Sequence, residues 1–153
     1  MSGWRWVVGL VLIAHGIGHT LGLIPLFKEN LVSGWNLRSW LLTDPLGETA
    51  SKGISGVLFA AGTAVFILAG LGVLEWGIPH EWWRPLGFGG AVVSTVALTL
   101  FWNAFPSLFP NKVGALALNI VLLGGFIGLW DWPTDEMLGQ TTQAIPDHTP
   151  LIS

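Results

Sequence analysis

Four stretches of this chain, 6–27, 54–74, 86–105 and 113–130, contain no Asp, Glu, Lys or Arg. Each is close to the run of about 20 apolar residues that a helix needs to cross a hydrocarbon core of roughly 30 Å. A chain of 153 residues holding four such runs has little left with which to make a water-soluble surface. Charged residues make up 10% of it, against roughly 25% in soluble domains. The expectation is an all-α membrane protein, a four-transmembrane-helix bundle over residues 1–132 whose partner is the lipid bilayer. A polar, flexible C-terminal tail is expected over 133–153.

Other features bear on the same expectation. The first run is too long for a signal h-region and no small-residue cleavage site follows it, so it reads as a retained span. The ten tryptophans divide between two ends. Trp4, Trp6, Trp76, Trp82, Trp83, Trp130 and Trp132 fall at the end bearing the termini, and Trp35, Trp40 and Trp102 at the other. Two aromatic belts suit four crossings. Arg5 and Arg84 lie on the termini side, whereas Lys28, Arg38, Lys52 and Lys112 lie on the first and third loops. Basic residues mark the cytoplasmic face, so both termini are expected outside the cell membrane. In the first loop Leu31, Trp35, Arg38 and Leu42 have helical spacing, which fits a short interfacial helix or an irregular loop.

With no cysteine, the chain lacks disulfides, thiolate metal ligands and thiol nucleophiles. A net charge of −3 without a basic patch argues against a nucleic-acid partner. The glycines sit inside apolar runs with no preceding strand, so none forms a phosphate loop.

The most specific local pattern is Ala14-His15-Gly16-Ile17-Gly18-His19-Thr20-Leu21-Gly22. His15 and His19, four apart, share a helix face with Gly18 and Gly22. Gly18 and Gly22 form a small-xxx-small pair that admits a close neighbour, and polar intramembrane groups face the bundle interior. At 1.5 Å per residue His15 lies roughly 13 Å and His19 roughly 20 Å from the termini-side interface. Thr63, Ser94, Thr95, Thr99 and Asn119 lie at comparable depths in the other spans, and Asn103 lies nearer the opposite interface. Together they predict a polar layer in an apolar bundle.

Three readings of that layer are open. It is held together by hydrogen bonds between helices. Or His15 and His19, at i and i+4, chelate a metal or supply a haem ligand; the absence of cysteine, of a carboxylate at that depth and of the Glu in an H-E-x-x-H motif counts against this. Or the layer orients the polar head of a small amphipathic ligand, a quinone, isoprenoid or lipid, with His available for proton transfer. No cofactor and no catalytic residue is specified. A non-catalytic subunit of a larger membrane complex, or a homo-oligomer, is the alternative from another class.

Elsewhere, His80, Glu81, Trp82, Trp83 and Arg84 form a polar-aromatic cluster ahead of Pro85. It suits an interfacial anchor with its tryptophans in the headgroups, or a surface contact for a ligand or partner. Gly56, Ala60 and Ala64, and Gly124 and Gly128, are small-residue stripes suited to helix packing.

Ala14-His15-Gly16, His19, Leu21-Gly22, the pair Trp82-Trp83, Trp102, Lys112-Val113-Gly114 and Asn119 together resemble a group of short prokaryotic four-helix membrane proteins with an A-H-G-x-x-H first span. There is a looser likeness to DoxX-like proteins, which also carry an H-G pair there. The resemblance runs from about 6 to 130, implies the four-helix fold, and brings no activity with it.

Overall fold

The computed structural model describes residues 2–28, 33–105, 112–128 and 133–139. It is all-helical, with no strand among the described residues. The helices are α1 (Gly3–His19), α2 (Ile24–Phe27), α3 (Thr43–Leu46), α4 (Glu48–Leu74), α5 (Trp83–Leu100) and α6 (Val113–Phe126), with 3-10 turns at Thr20–Leu23, His80–Trp82 and Trp102–Ala104. Two helical stretches, Gly3–Phe27 and Glu48–Leu74, are long and apolar enough to cross a membrane. Val113–Phe126 is apolar but shorter, and residues 129 and 130, which the expected fourth span includes, lie outside the described residues.

The first stretch is not one regular helix, and its sequence explains why. Pro25 has no N–H to offer Leu21 and its ring crowds the preceding turn. Thr20 Oγ1 also takes the Ile17 carbonyl at 2.7 Å. The backbone tightens into the 3-10 turn Thr20–Leu23 before α2 resumes. The second helix begins six residues before the expected Ile54, because Glu48 to Gly53 carry the helix on past its apolar part. Gly47, at φ 82°, makes the turn into it, and Glu48 sits favourably at the helix N-terminus.

The long helices pack in chain order, α1 on α4, α4 on α5 and α5 on α6. Each pair is antiparallel. Gly9 meets Gly70 and Leu74, Gly16 meets Thr63 and Ile67, and Gly22 meets Phe59; Gly72 meets Trp83 and Gly90 meets Phe66; Gly87 meets Phe126. On α1 and α4 these contacts bring backbone against backbone. A Cβ on Gly16 would stand 2.9 Å from the Thr63 carbonyl oxygen, and one on Gly70 would stand 2.7 Å from that of Gly9. The α1 glycine facing α4 is therefore Gly16. Gly18, expected on the inward stripe, is exposed with nothing within 4 Å of a Cβ. The helix rotates so that His19 and Gly22 are buried while Gly18 looks out. On α4, Gly56 packs on Leu26, but Ala60 and Ala64 are exposed; on α6, Gly124 is buried, whereas Gly128, past the helix, is exposed.

The end bearing Ser2 is tied by polar contacts. Arg5, buried on α1, donates from Nε to the Val73 carbonyl at 2.6 Å, and its Nη2 stands 3.0 Å from Glu75 Oε2. A cation thus caps the C-terminus of α4, where the helix dipole favours it. Arg84 donates to the Pro133 carbonyl at 2.9 Å and to Asp135 at 3.1 Å. Ser2 Oγ donates to the Met137 carbonyl, and Leu138 is fully buried beside Val8, Leu12 and Trp83. Residues 133–139, expected within a flexible tail, are docked; 140–153 lie outside the described residues. Trp83, expected in the headgroups, is a core residue because α5 begins there facing Gly72, while Trp82 is exposed.

At the other end, 33–42 is turn and irregular chain, and the short helix there is Thr43–Leu46. Trp35 and Arg38 lie in no helix, and Leu31 lies outside the described residues. Backbone and side-chain bonds to the end of α5 hold this segment in place: Asn36 N–H to the Ala104 carbonyl, Ser39 Oγ to that of Leu100 at 2.6 Å and Trp40 Nε1 to that of Thr99 at 2.7 Å.

The two α1 glycines separate packing from propensity. Alanine gains the same helix propensity at either position. Gly16→Ala must push α4 away, and overpacking of this kind costs about 1–3 kcal/mol. Unfolding in mixed detergent micelles should place Gly16→Ala below Gly18→Ala by that margin; equal stabilities would refute the close approach.

Candidate functional site

The expected polar layer forms around three helices. Asn119, on α6 and fully buried, donates from Nδ2 to Ser94 Oγ on α5 at 2.7 Å. Its Oδ1 stands 3.2 Å from His15 Nε2 on α1. With the amide nitrogen engaged by Ser94, Oδ1 is the acceptor, so His15 carries its proton on Nε2. One asparagine thus joins α1, α5 and α6.

His19, one turn further along, is buried with its Nε2 in contact with no polar partner. Phe66 stacks on the imidazole at 5.8 Å with the planes 2° apart, and Phe59 lies 5.9 Å away. His15 meets it edge to face at 4.9 Å. The ring lies over Gly62, where a Cβ would sit 3.6 Å from the imidazole carbons, at ordinary contact distance. A buried imidazole nitrogen without a bond carries a desolvation penalty, which a polar group arriving from outside would relieve.

Beside the two histidines is a cavity of about 170 Å³, lined by Ala14, His15, Gly18 and His19 of α1, by Leu21, by Phe59 of α4, by Leu98 and Phe105, and by Ala115 of α6. Its lining holds no charged side chain. Ala14, Gly18 and Leu21 on its rim are exposed. Among the described residues α1 and α6 share little contact surface beyond the His15–Asn119 bond, and Ala14 and Gly18 of α1 and Ala115 of α6 line the cavity between them.

The other expected polar residues do not join this group. Thr63 and Thr95 donate to the carbonyls one turn back in their own helices, Phe59 at 2.9 Å and Ala91 at 2.7 Å. Thr99 is exposed. A hydroxyl on an apolar helix readily satisfies itself in this way. His80, Glu81, Trp82 and Arg84 stand at the Ser2 end, remote along α5 from Ser94. Missing from the expected set are Phe59, Gly62 and Phe66, which form the walls and floor around His19. Their signal is the i, i+3, i+7 spacing on α4. Among the described residues, no group of three His, Cys, Asp or Glu comes together as a metal site.

No family model, no curated protein and no solved structure matches the chain.

The asparagine bridge has a measurable strength. Hydrogen bonds between membrane helices average about 0.6 kcal/mol. A double-mutant cycle pairing His15→Ala with Asn119→Ala, read by unfolding in micelles, should return coupling of about that size, whereas Thr95→Ala should couple to neither. Zero coupling between His15 and Asn119 would refute the bridge.

Proposed function

We propose that the chain is a four-span membrane protein whose histidine face binds a small amphipathic molecule entering sideways from the bilayer. The observation that carries this is the cavity against His15 and His19, lined otherwise by apolar side chains, beside an imidazole whose Nε2 is buried without a partner. An apolar pocket with a few converging polar groups is the usual form of a small-molecule site.

In this reading α1 and α4 cross the bilayer, and α5 and α6 cross beside them. The antiparallel order supports four crossings, as do the charge-free runs and the outward face of α4, where Val57, Ala60, Ala64 and Leu68 are exposed. The ligand is a quinone, isoprenoid or lipid with one hydrogen-bonding head. His19 bonds that head, and the ring planes of Phe59 and Phe66 hold the imidazole to receive it. Ser94 and Asn119 fix His15 alongside. The apolar part of the molecule lies past Leu21, Leu98 and Ala115. The single exchangeable proton on each imidazole makes proton transfer to the head available as chemistry, without specifying a reaction. A metal held by His15 and His19 is less well supported, because Asn119 already engages His15 Nε2.

A second reading, a subunit docked on a larger membrane complex, draws on the exposed Gly53, Ala60 and Ala64, which would let a further helix approach α4. The two readings use different faces and are separable.

Protein extracted in mild detergent should carry a bound small amphipath detectable by native mass spectrometry. His19→Ala should lower its retention about tenfold, the equivalent of roughly 1.4 kcal/mol for one buried hydrogen bond. Wild-type protein stripped of any such molecule and unable to rebind quinone or isoprenol probes would sink the pocket. For topology, an alkaline phosphatase fused after Ser153 should be active and a cytoplasmic reporter at the same site silent; the reverse pattern would invert the orientation.

A further inference from the structure

A second cavity, also about 170 Å³, lies at the opposite end of the helices from Ser2, lined by Pro25, Trp35, Asn36, Leu37, Arg38, Thr43, Glu48 and Lys52. Unlike the histidine cavity it holds both signs of charge. Arg38 Nη1 stands 3.2 Å from Glu48 Oε1, with both side chains more than half exposed, and Lys52 is one turn along α4 from Glu48.

The backbone presenting Arg38 is fixed. Residues 35–39 have no regular secondary structure, but their burial alternates from Leu37 to Ser39. Leu37 and Ser39 are buried and Arg38 is turned out. Ser39 N–H donates to Thr43 Oγ1 at 2.8 Å, Thr43 and Ser51 hydroxyls bond at 2.9 Å, and Ser51 Oγ donates to the Leu37 carbonyl at 3.3 Å. This network staples the segment to the first turn of α4, one turn from Glu48. The Arg38 N–H is itself taken by Asn36 Oδ1 at 3.0 Å.

Around the cavity the surface is apolar and tryptophan-bearing. Phe27 is 86% exposed, and Trp40, Leu41 and Leu46 are each about half exposed. Large exposed apolar side chains beside charged ones mark the headgroup depth of a bilayer. The site therefore rests on the membrane reading above, though not on any ligand at the histidines.

We propose that this cavity is a headgroup site for a zwitterionic aminophospholipid, with the phosphate on Arg38 and the primary ammonium on Glu48. An anionic headgroup such as phosphatidylglycerol brings only neutral hydroxyl donors, and no positive charge, to the Glu48 carboxylate. A phosphate joined to an ammonium by a short linker satisfies both signs. An ion pair this exposed contributes little to holding the fold, so Arg38 and Glu48 can exchange each other for the two ends of one lipid. Arg38 suits phosphate because its guanidinium gives two parallel donors. The acyl chains then run down the exposed apolar surface at Leu26 and Phe27.

The full chain in detergent is titrated with phosphatidylethanolamine or phosphatidylglycerol of matched chains, and adducts are counted by native mass spectrometry. Wild type should favour phosphatidylethanolamine at least fivefold. Glu48→Gln should erase the preference and Arg38→Ala should weaken both lipids, while Arg38→Lys keeps part of the affinity. Both side chains are exposed, so these variants fold, and unfolding in micelles checks it. His19→Ala should leave the preference intact, which separates this site from the histidine cavity. Equal binding of the two lipids, a phosphatidylglycerol preference, or a preference that survives Glu48→Gln overturns the proposal. So does full competition by water-soluble glycerophosphoethanolamine, or failure of the protein to float with vesicles.

Discussion

The contact on which the rest depends is the backbone-to-backbone approach of α1 and α4. Gly9 and Gly70 let the helices touch at one end, and Gly16 lets the Thr63 carbonyl in at the middle. That approach fixes the rotation of α1. Once Gly16 faces α4, His19, three residues on, is carried into the same interface and must lie over Gly62. His15, one residue before, is turned towards the side where α6 passes. A bulkier residue at position 16 or 70 would move both imidazoles together, so the polar groups inherit their placement from a packing contact that contains no polar side chain.

Two histidines on one helix face then end in different states. His15 is joined through Asn119 to Ser94, three polar groups satisfying one another across three helices. His19 is enclosed by Phe59 and Phe66 and has no bond at Nε2. A satisfied polar group in an apolar surround rigidifies its neighbours; an unsatisfied one costs free energy until something arrives. In the proposed binding reading the satisfied trio is the fixed wall and His19 the receiving group; the cavity is lined by His15 and His19.

How far this was legible in the sequence differs by level. The positions of the long helices follow from charge-free runs, but the helices overrun them at their N-terminal ends: α1 begins at Gly3, α4 at Glu48 and α5 at Trp83, each taking in a charged residue. That His15 has polar neighbours at its own depth follows from depth counting; that its partner is Asn119, rather than Thr63, Thr95 or Thr99, does not. Rotation was not legible. Gly18 and Gly16 are two residues apart and nearly opposite on the helix; small-xxx-small spacing alone favoured Gly18, and the partner backbone on α4 decided for Gly16. Nor was the self-satisfaction of Thr63 and Thr95, since a hydroxyl's choice between its own helix and a neighbour depends on a gap that spacing does not reveal. Leu138 was hidden by its polar surroundings: a leucine six residues past Trp132, after Thr, Asp and Glu, is a weak signal, yet it fills the core because Arg84 and Ser2 hold the chain that bears it.

The two ends of the molecule are built on different principles, and this bears on where anything can enter. The Ser2 end is latched: Arg5 caps α4, Arg84 holds Pro133 and Asp135, and Leu138 plugs the space among Val8, Leu12 and Trp83. At the far end Ser39 and Trp40 hold the connecting segment over the last carbonyls of α5. With both ends tied, the weakest seam is the long gap between α1 and α6, bridged by His15 and Asn119. Opening that seam breaks one modest hydrogen bond, whereas opening the Ser2 end breaks two ionic contacts and exposes a buried leucine. In the proposed membrane reading, entry from the side is therefore the easier route to His19, and a molecule using it comes from the apolar phase rather than from water.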